Sequence, residues 1–166
     1  SVEKAVKAAI YAPNHKRSEP WRFHLLGPDS IQKVCELNAE IVTEKKGDKA
    51  GQKKLERWLL MPGWMVITQK VGDEEPKAFL EPASQLKEDY AAVCCAVHNF
   101  CLSLHARGMG TKWTTGPVNF DPRFREATGV PEDEDVVGTI WFGTPTKVPE
   151  PPKKKLKVSD VLIRHD

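Results

Sequence analysis

The chain has 166 residues, of which 40% are hydrophobic and 29% charged, the balance of a globular domain rather than of a disordered or fibrous chain. A formal net charge of +2 is too small to make nucleic acid the main partner, and no apolar run is long enough to cross a bilayer as a helix. Nothing at Ser1 has the pattern of a signal peptide, and a single domain is expected over residues 1–166. The four cysteines, Cys35, Cys94, Cys95 and Cys101, stand in apolar or helical contexts rather than in a disulfide framework, which places the protein in a reducing compartment, the cytoplasm. Adjacent Cys94 and Cys95 read as buried small residues rather than as a redox pair.

Val2, Ala5, Val6 and Ala9 recur at helical spacing, so the chain opens inside a helix, without Met, and further sequence is expected upstream. Pro13 ends this helix, and Trp21–Leu26 (WRFHLL) reads as a strand. After the Gly27–Ser30 turn, Asp29 or Ser30 is placed to cap a helix whose apolar stripe is Ile31, Val34, Cys35, Ile41 and Val42. Thr43–Gln52 is charged and interrupted by glycine, and is expected to be mobile. Lys53–Met61 is a short amphipathic helix stopped by Pro62-Gly63, and Trp64–Gln69 (WMVITQ) is a strand buried on both faces. Val71–Lys87 is a long polar connection.

Asp89–Ala106 is apolar or small around nearly its whole circumference, the pattern of a central buried helix, with Gly108 as its C-terminal cap. Gly108–Gly116 (GMGTKWTTG) is a glycine-flanked strand or loop. Asp121-Pro122 starts a short helix that Gly129 ends, Val136–Gly143 is the last clear strand, and Pro145–Asp166 is a proline- and lysine-rich tail. Helices and strands interleaved around one hydrophobic helix describe an α+β domain.

Several chemistries can be weighed from spacing. Cys94, His98, Cys101 and His105 follow one stripe of the central helix, but four groups strung along a straight helix cannot converge on one tetrahedral ion, so no metal site is expected. There is no G-x-S-x-G nucleophile elbow, P-loop or G-x-G-x-x-G after a strand. The run PPKKKLKV at Pro151–Val158 reads as a solvated tail or as a nucleic-acid or nuclear-localisation patch, the former being far commoner. Two loops remain. Ala12–Pro20 carries His15, Lys16 and Arg17, and Gly110–Gly116 carries Lys112, Trp113, Thr114 and Thr115. Hydroxyls, an aromatic plane and cations suit a planar phosphorylated cofactor, though loops also carry such residues for structural reasons.

Ala9–Phe23 (AIYAPNHKRSEPWRF) resembles the signature of the FMN-dependent nitroreductase family, an alanine-rich helix leading through Ala-Pro and a polar loop to Pro-Trp and a strand. The run from Ala91 to Gly116 is similar to that family's central helix, with His98-Asn99 at its Gln-Asn position and Gly108–Trp113 at its Gly-Leu-Gly-x-x-Trp element. Phe124–Gly143 and the tail PKKKLKVSDVLIRHD match the later pattern in the right order, and the short length is closest to the minimal bacterial branch. The resemblance implies a nitroreductase-like α+β fold with a mixed or antiparallel central sheet, and a homodimer with two FMN sites where the subunits meet. It implies hydride transfer from NADH or NADPH through flavin N5, in a ping-pong cycle, to a small-molecule acceptor such as a nitroaromatic or quinone, with no catalytic acid or base assigned to the protein. Tyr11 and His15 fall at one flavin-contacting segment, His15 reaching the partner's cofactor, and Trp113, Thr114 and Thr115 fall at the other. Thr114 stands where the branch has arginine.

This sequence starts downstream of the family's Arg-Arg-Ser-x-Arg helix, which holds the FMN phosphate; either that motif precedes Ser1 or the protein has diverged, and without those arginines the phosphate would fall to Lys16, Arg17 or Arg164. Losing two charge-assisted hydrogen bonds would weaken binding ~100-fold or more. The competing expectation is a flavin-lacking binding or regulatory protein on the same fold.

Overall fold

The computed structural model describes residues 2–71 and 82–165. Ten regular elements follow in order: α1 (Val2–Ala9), β1 (Trp21–Leu25), α2 (Pro28–Lys46), α3 (Asp48–Leu59), β2 (Gly63–Lys70), α4 (Pro82–His105), β3 (Gly110–Thr114), α5 (Arg123–Thr128), β4 (Glu134–Gly143) and α6 (Val158–Val161). The strands form one sheet in the order β1-β2-β4-β3, and every pairing is antiparallel. The mixed alternative is therefore excluded for these four strands.

Helices cover both faces, which is why β2 is buried over six consecutive residues. On one face Ala5, Ala9, Met65, Ile67, Val93, Val97, Phe100, Leu104 and Ile140 join α1 and α4 to the sheet. On the other, Val34, Cys35, Leu37, Trp64, Val66, Phe124 and Trp141 join α2, α3 and α5 to it. Period-2 alternation along β2 sends Met65 and Ile67 to the first cluster and Trp64 and Val66 to the second. A bulge interrupts β2–β4, where Ile67 faces Gly138 and Thr68 faces Val136, leaving Val137 as the extra residue.

Three sequence expectations need correction. The segment Thr43–Gln52 is not a mobile loop. Helix α2 continues to Lys46, Gly47 turns the chain at φ 82°, and α3 begins at Asp48. The two helices press together at Gly51, where a Cβ would stand 2.8 Å from the Ala39 carbonyl oxygen, so the glycine that looked like a breaker is the contact that allows packing. Neither Asp29 nor Ser30 caps α2. The helix starts one turn earlier, with Gly27 as N-cap and Pro28 in its first position. Helix α4 is not buried all round, because Ala91, Cys95, His98 and Leu102 form an exposed stripe in a single chain. Cys95 is consequently exposed and Cys94 half-buried, rather than both being core residues.

Other elements follow the sequence closely. Asp121 accepts the Arg123 backbone N–H at 2.9 Å on Oδ1, as a capping residue does, and Gly129 closes α5 at φ 75°. Helix α4 starts at Pro82, within the expected Val71–Lys87 connection, and the remainder of that connection, residues 72–81, lies outside the described residues. Beyond β4 the tail is exposed, with one helical turn at α6. No helix among the described residues is long and apolar enough to cross a membrane.

The α2 layer also fixes a buried thiol. Cys35 has 0% exposure, and burial, with Glu36 a smaller contributor, pushes its thiol up to about 11. The native thiol therefore keeps its proton where an unfolded one, with a pKa near 8.5, has lost it. Stability is full below about pH 8.5 and falls as pH rises toward 11, by up to ~3 kcal/mol. In denaturant unfolding at pH 8 and pH 10.5, Cys35→Ala should lose clearly less stability than the unaltered chain; equal losses would rule this source out.

Candidate functional site

The loop after α1 is held in an unusual backbone. Lys16, Arg17 and Glu19 have φ of 49°, 59° and 46°, in the left-handed region that side chains disfavour by about 1–2 kcal/mol each. Such a conformation persists only where surrounding contacts over-determine it. Here the Asn14 Oδ1 accepts the Glu19 N–H at 3.1 Å, and the Ser18 hydroxyl donates to Asp89 Oδ1 on α4 at 2.6 Å. His15 Nδ1 lies 3.0 Å from Glu88 Oε2, also on α4. The result is a basic, exposed turn fixed to a helix rather than swinging in solvent. Tyr11, just before it, is 78% exposed.

The second segment is edge strand β3. Trp113 pairs with Ile140, so its side chain lies on the α4 face of the sheet, and its indole covers Gly138 of β4. The ring remains 40% exposed. Thr111, on the same face, hydrogen-bonds Cys101 of α4, whose thiol is pushed up by burial more than this bond lowers it. Thr114 points to the opposite face, where its hydroxyl donates to the Thr139 carbonyl at 3.0 Å, and Thr115 is exposed just beyond the strand. The Thr114 proton is thus already used within the sheet.

These two segments do not meet within one chain. β1 and β3 are the opposite edges of the sheet, three strand spacings or roughly 14 Å apart. Along α4, Glu88 at the His15 loop and Cys101 at β3 are thirteen residues apart, roughly 20 Å. What lies between them is the exposed stripe of α4 that runs through Ala91, Cys95 and His98 to Leu102, which is 52% exposed. The exposed indole at one edge and the cationic turn at the other are chemically suited to a flat, phosphorylated ring system.

Some supporting residues were invisible to pattern reading. Ser18 and Asp89 are 71 positions apart, and no local signal links them. Gly138, by contrast, interrupts an otherwise apolar strand, the usual mark of a close approach by another group. On the far face, the His24 Nε2 lies 2.6 Å from Glu134 Oε2, and the Thr68 hydroxyl donates to the same oxygen. That buried trio ties β1, β2 and β4 together away from both segments. Among the described residues no three His, Cys, Asp or Glu side chains group closely enough to hold a metal ion.

An antiparallel sheet covered by helices on both faces carries the two polar segments at its opposite edges. The Nitroreductase family profile matches residues 1–144. The chain belongs to the nitroreductase family, and is an oxidoreductase of that type. It is 25% identical over 159 residues to a Bacillus subtilis protein named "Putative NAD(P)H nitroreductase YfhC", spanning 93% of this chain and 77% of that one. The crystal structure of a nitroreductase-like family protein from Bacillus cereus superposes with a TM-score of 0.79 at 28% identity, covering 99% of this chain and 83% of that one. A BluB-like flavoprotein from Clostridium difficile shares the fold, with a TM-score of 0.71 at 21% identity, covering 99% and 88%.

Proposed function

We propose that this chain is an FMN-dependent NAD(P)H oxidoreductase acting as a homodimer, with each flavin site built from Tyr11 and His15 of one copy and Trp113, Thr114 and Thr115 of the other. Bound FMN would supply hydride transfer at N5 between the nicotinamide donor and a nitroaromatic, quinone or similar small acceptor. The protein's own part is to hold and shield the ring. Trp113 offers an aromatic plane, Thr115 an exposed hydroxyl, and the turn at His15–Arg17 positive charge. Thr114 contributes through its backbone, since its hydroxyl proton is directed to Thr139.

The observation that carries this reading is the placement of the two family-matched segments at opposite edges of one sheet, joined by an exposed α4 stripe that includes His98 and Leu102. Such a stripe on an otherwise core-forming helix suits a second copy. The same reading takes residues 1–166 as one domain, because both apolar clusters are built on one sheet. The four free cysteines fit a reducing compartment, here the cytoplasm.

The test is spectroscopic. The purified protein, titrated with FMN, should show the shifted spectrum of a bound flavin, lose it on addition of NADH or NADPH without oxygen, and recover it with a nitroaromatic acceptor. A protein that leaves the FMN spectrum unchanged belongs to the flavin-lacking alternative.

A further inference from the structure

The α2–α3 hairpin forms a cationic cleft on the face of the sheet opposite α4. A cavity of about 440 Å³ opens between the two helices and the turn at Gly116-Pro117. Lys45, Lys53, Lys54 and Arg57 line it, and no carboxylate does. It adjoins a second cavity of about 280 Å³, which shares Lys54, Arg57 and Trp58, adds Lys112, and reaches Trp113 and Thr114 of β3. Helical spacing places Lys53 with Arg57, and Lys54 with Trp58, on adjacent ridges of α3. Among the described residues, Lys45, Lys53 and Arg57 have no carboxylate within ion-pair distance, although Glu44, Asp48 and Glu56 stand beside them in sequence.

The inner wall carries two unmet donors. Asn38 is 4% exposed, lines the larger cavity, and its Nδ2 has no hydrogen-bond partner among the described residues. Trp141, 8% exposed, lines the smaller one and its Nε1 is likewise without a partner. Buried donors left unpaired are rare enough in folded proteins to call for a ligand or water. Trp58 supplies an aromatic wall, packed edge-on against Trp141 with centroids 4.9 Å apart. Together these give an exposed cluster of cations beside a flat apolar wall, with two unpaired donors in the buried residues behind it, within the volume range of small-molecule sites.

We propose that this cleft binds a nucleoside diphosphate group, its phosphates on Lys45, Lys53 and Arg57 and its base against Trp58. Lys54 Nζ already sits over the Trp58 ring at 5.7 Å, so an incoming base displaces a cation from the ring and leaves it free for phosphate. The group has two possible carriers, a free nucleotide or the phosphate-bearing arm of the dinucleotide donor. The second rests on the proposed oxidoreductase reading, whereas binding itself does not.

The test is titration of the flavin-free full chain with ADP at physiological salt, followed by tryptophan fluorescence and calorimetry, with pyrophosphate, adenosine and sulfate in parallel. ADP should saturate and quench, binding more tightly than pyrophosphate or adenosine. Lys53→Glu with Arg57→Glu, both on the exposed helix surface, should weaken it about 30-fold or more. Trp58→Phe should retain ADP binding with a reduced fluorescence response. No saturable ADP response, equal affinity for sulfate and ADP, or an unchanged affinity in the double variant would overturn the proposal. In the flavin-loaded enzyme, a raised KM for NAD(P)H at constant kcat in the double variant assigns the donor's arm, while unchanged kinetics with lost ADP binding assigns a free nucleotide.

Discussion

Gly138→Val lowers stability by about 2 kcal/mol and weakens flavin binding about ten-fold, because the valine takes the space of the Trp113 indole. A Cβ at Gly138 would stand 2.2 Å from Trp113 Nε1, 2.9 Å from Cδ1 and 3.1 Å from the Thr114 carbonyl oxygen. The indole could move, but the carbonyl belongs to the β3–β4 ladder and moves only with the strand. Stability and site are therefore expected to fail together. Gly110→Ala is the control, since its nearest neighbours lie at 3.6 Å, an ordinary contact distance. Thermal unfolding and FMN titration of the two variants check this. Equal behaviour of the two would mean that the Trp113–Gly138 contact does not shape the site.

Trp113→Ala should behave differently, costing binding far more than folding. The ring is 40% exposed and sits at a sheet edge, so its removal takes away little of the core. If it stacks on the isoalloxazine, about 1–3 kcal/mol of binding goes with it, roughly 10- to 100-fold in affinity. Trp113→Phe should recover most of this by retaining an aromatic face. Fluorescence titration with FMN gives the comparison directly. An alanine variant binding flavin as tightly as the unaltered chain would remove Trp113 from the proposed site.

Much of this was legible in the residues because the local signals agreed with the global packing. WMVITQ reads as a doubly covered strand and is one, and Gly129 ends α5 where its left-handed backbone suits glycine, whereas α1 ends at Ala9, four residues before Pro13. The segment around Gly47 and Gly51 was misread because a glycine that permits close helix contact looks the same, in sequence, as one that breaks a helix. Helix α4 misled for a related reason. Tyr90 and Leu102 carry apolar side chains whether the surface they face is the chain's own core or another chain's, and periodicity cannot tell these apart. The site was legible only as two separate loops. Their separation across the sheet, and the Ser18–Asp89 contact that fixes the first loop to α4, depend on tertiary neighbours with no trace in local sequence.

The proposed shared site is open to one decisive measurement, subunit complementation. His15→Ala and Trp113→Ala chains, each impaired alone, are unfolded, mixed in equal amounts and refolded together, and flavin-dependent NAD(P)H oxidation is assayed. Random pairing makes half the dimers mixed, and each mixed dimer has one site free of both changes, so activity should return to about a quarter of the unaltered level. A mixture no more active than the average of its two parents would mean that His15 and Trp113 do not serve one flavin from opposite chains.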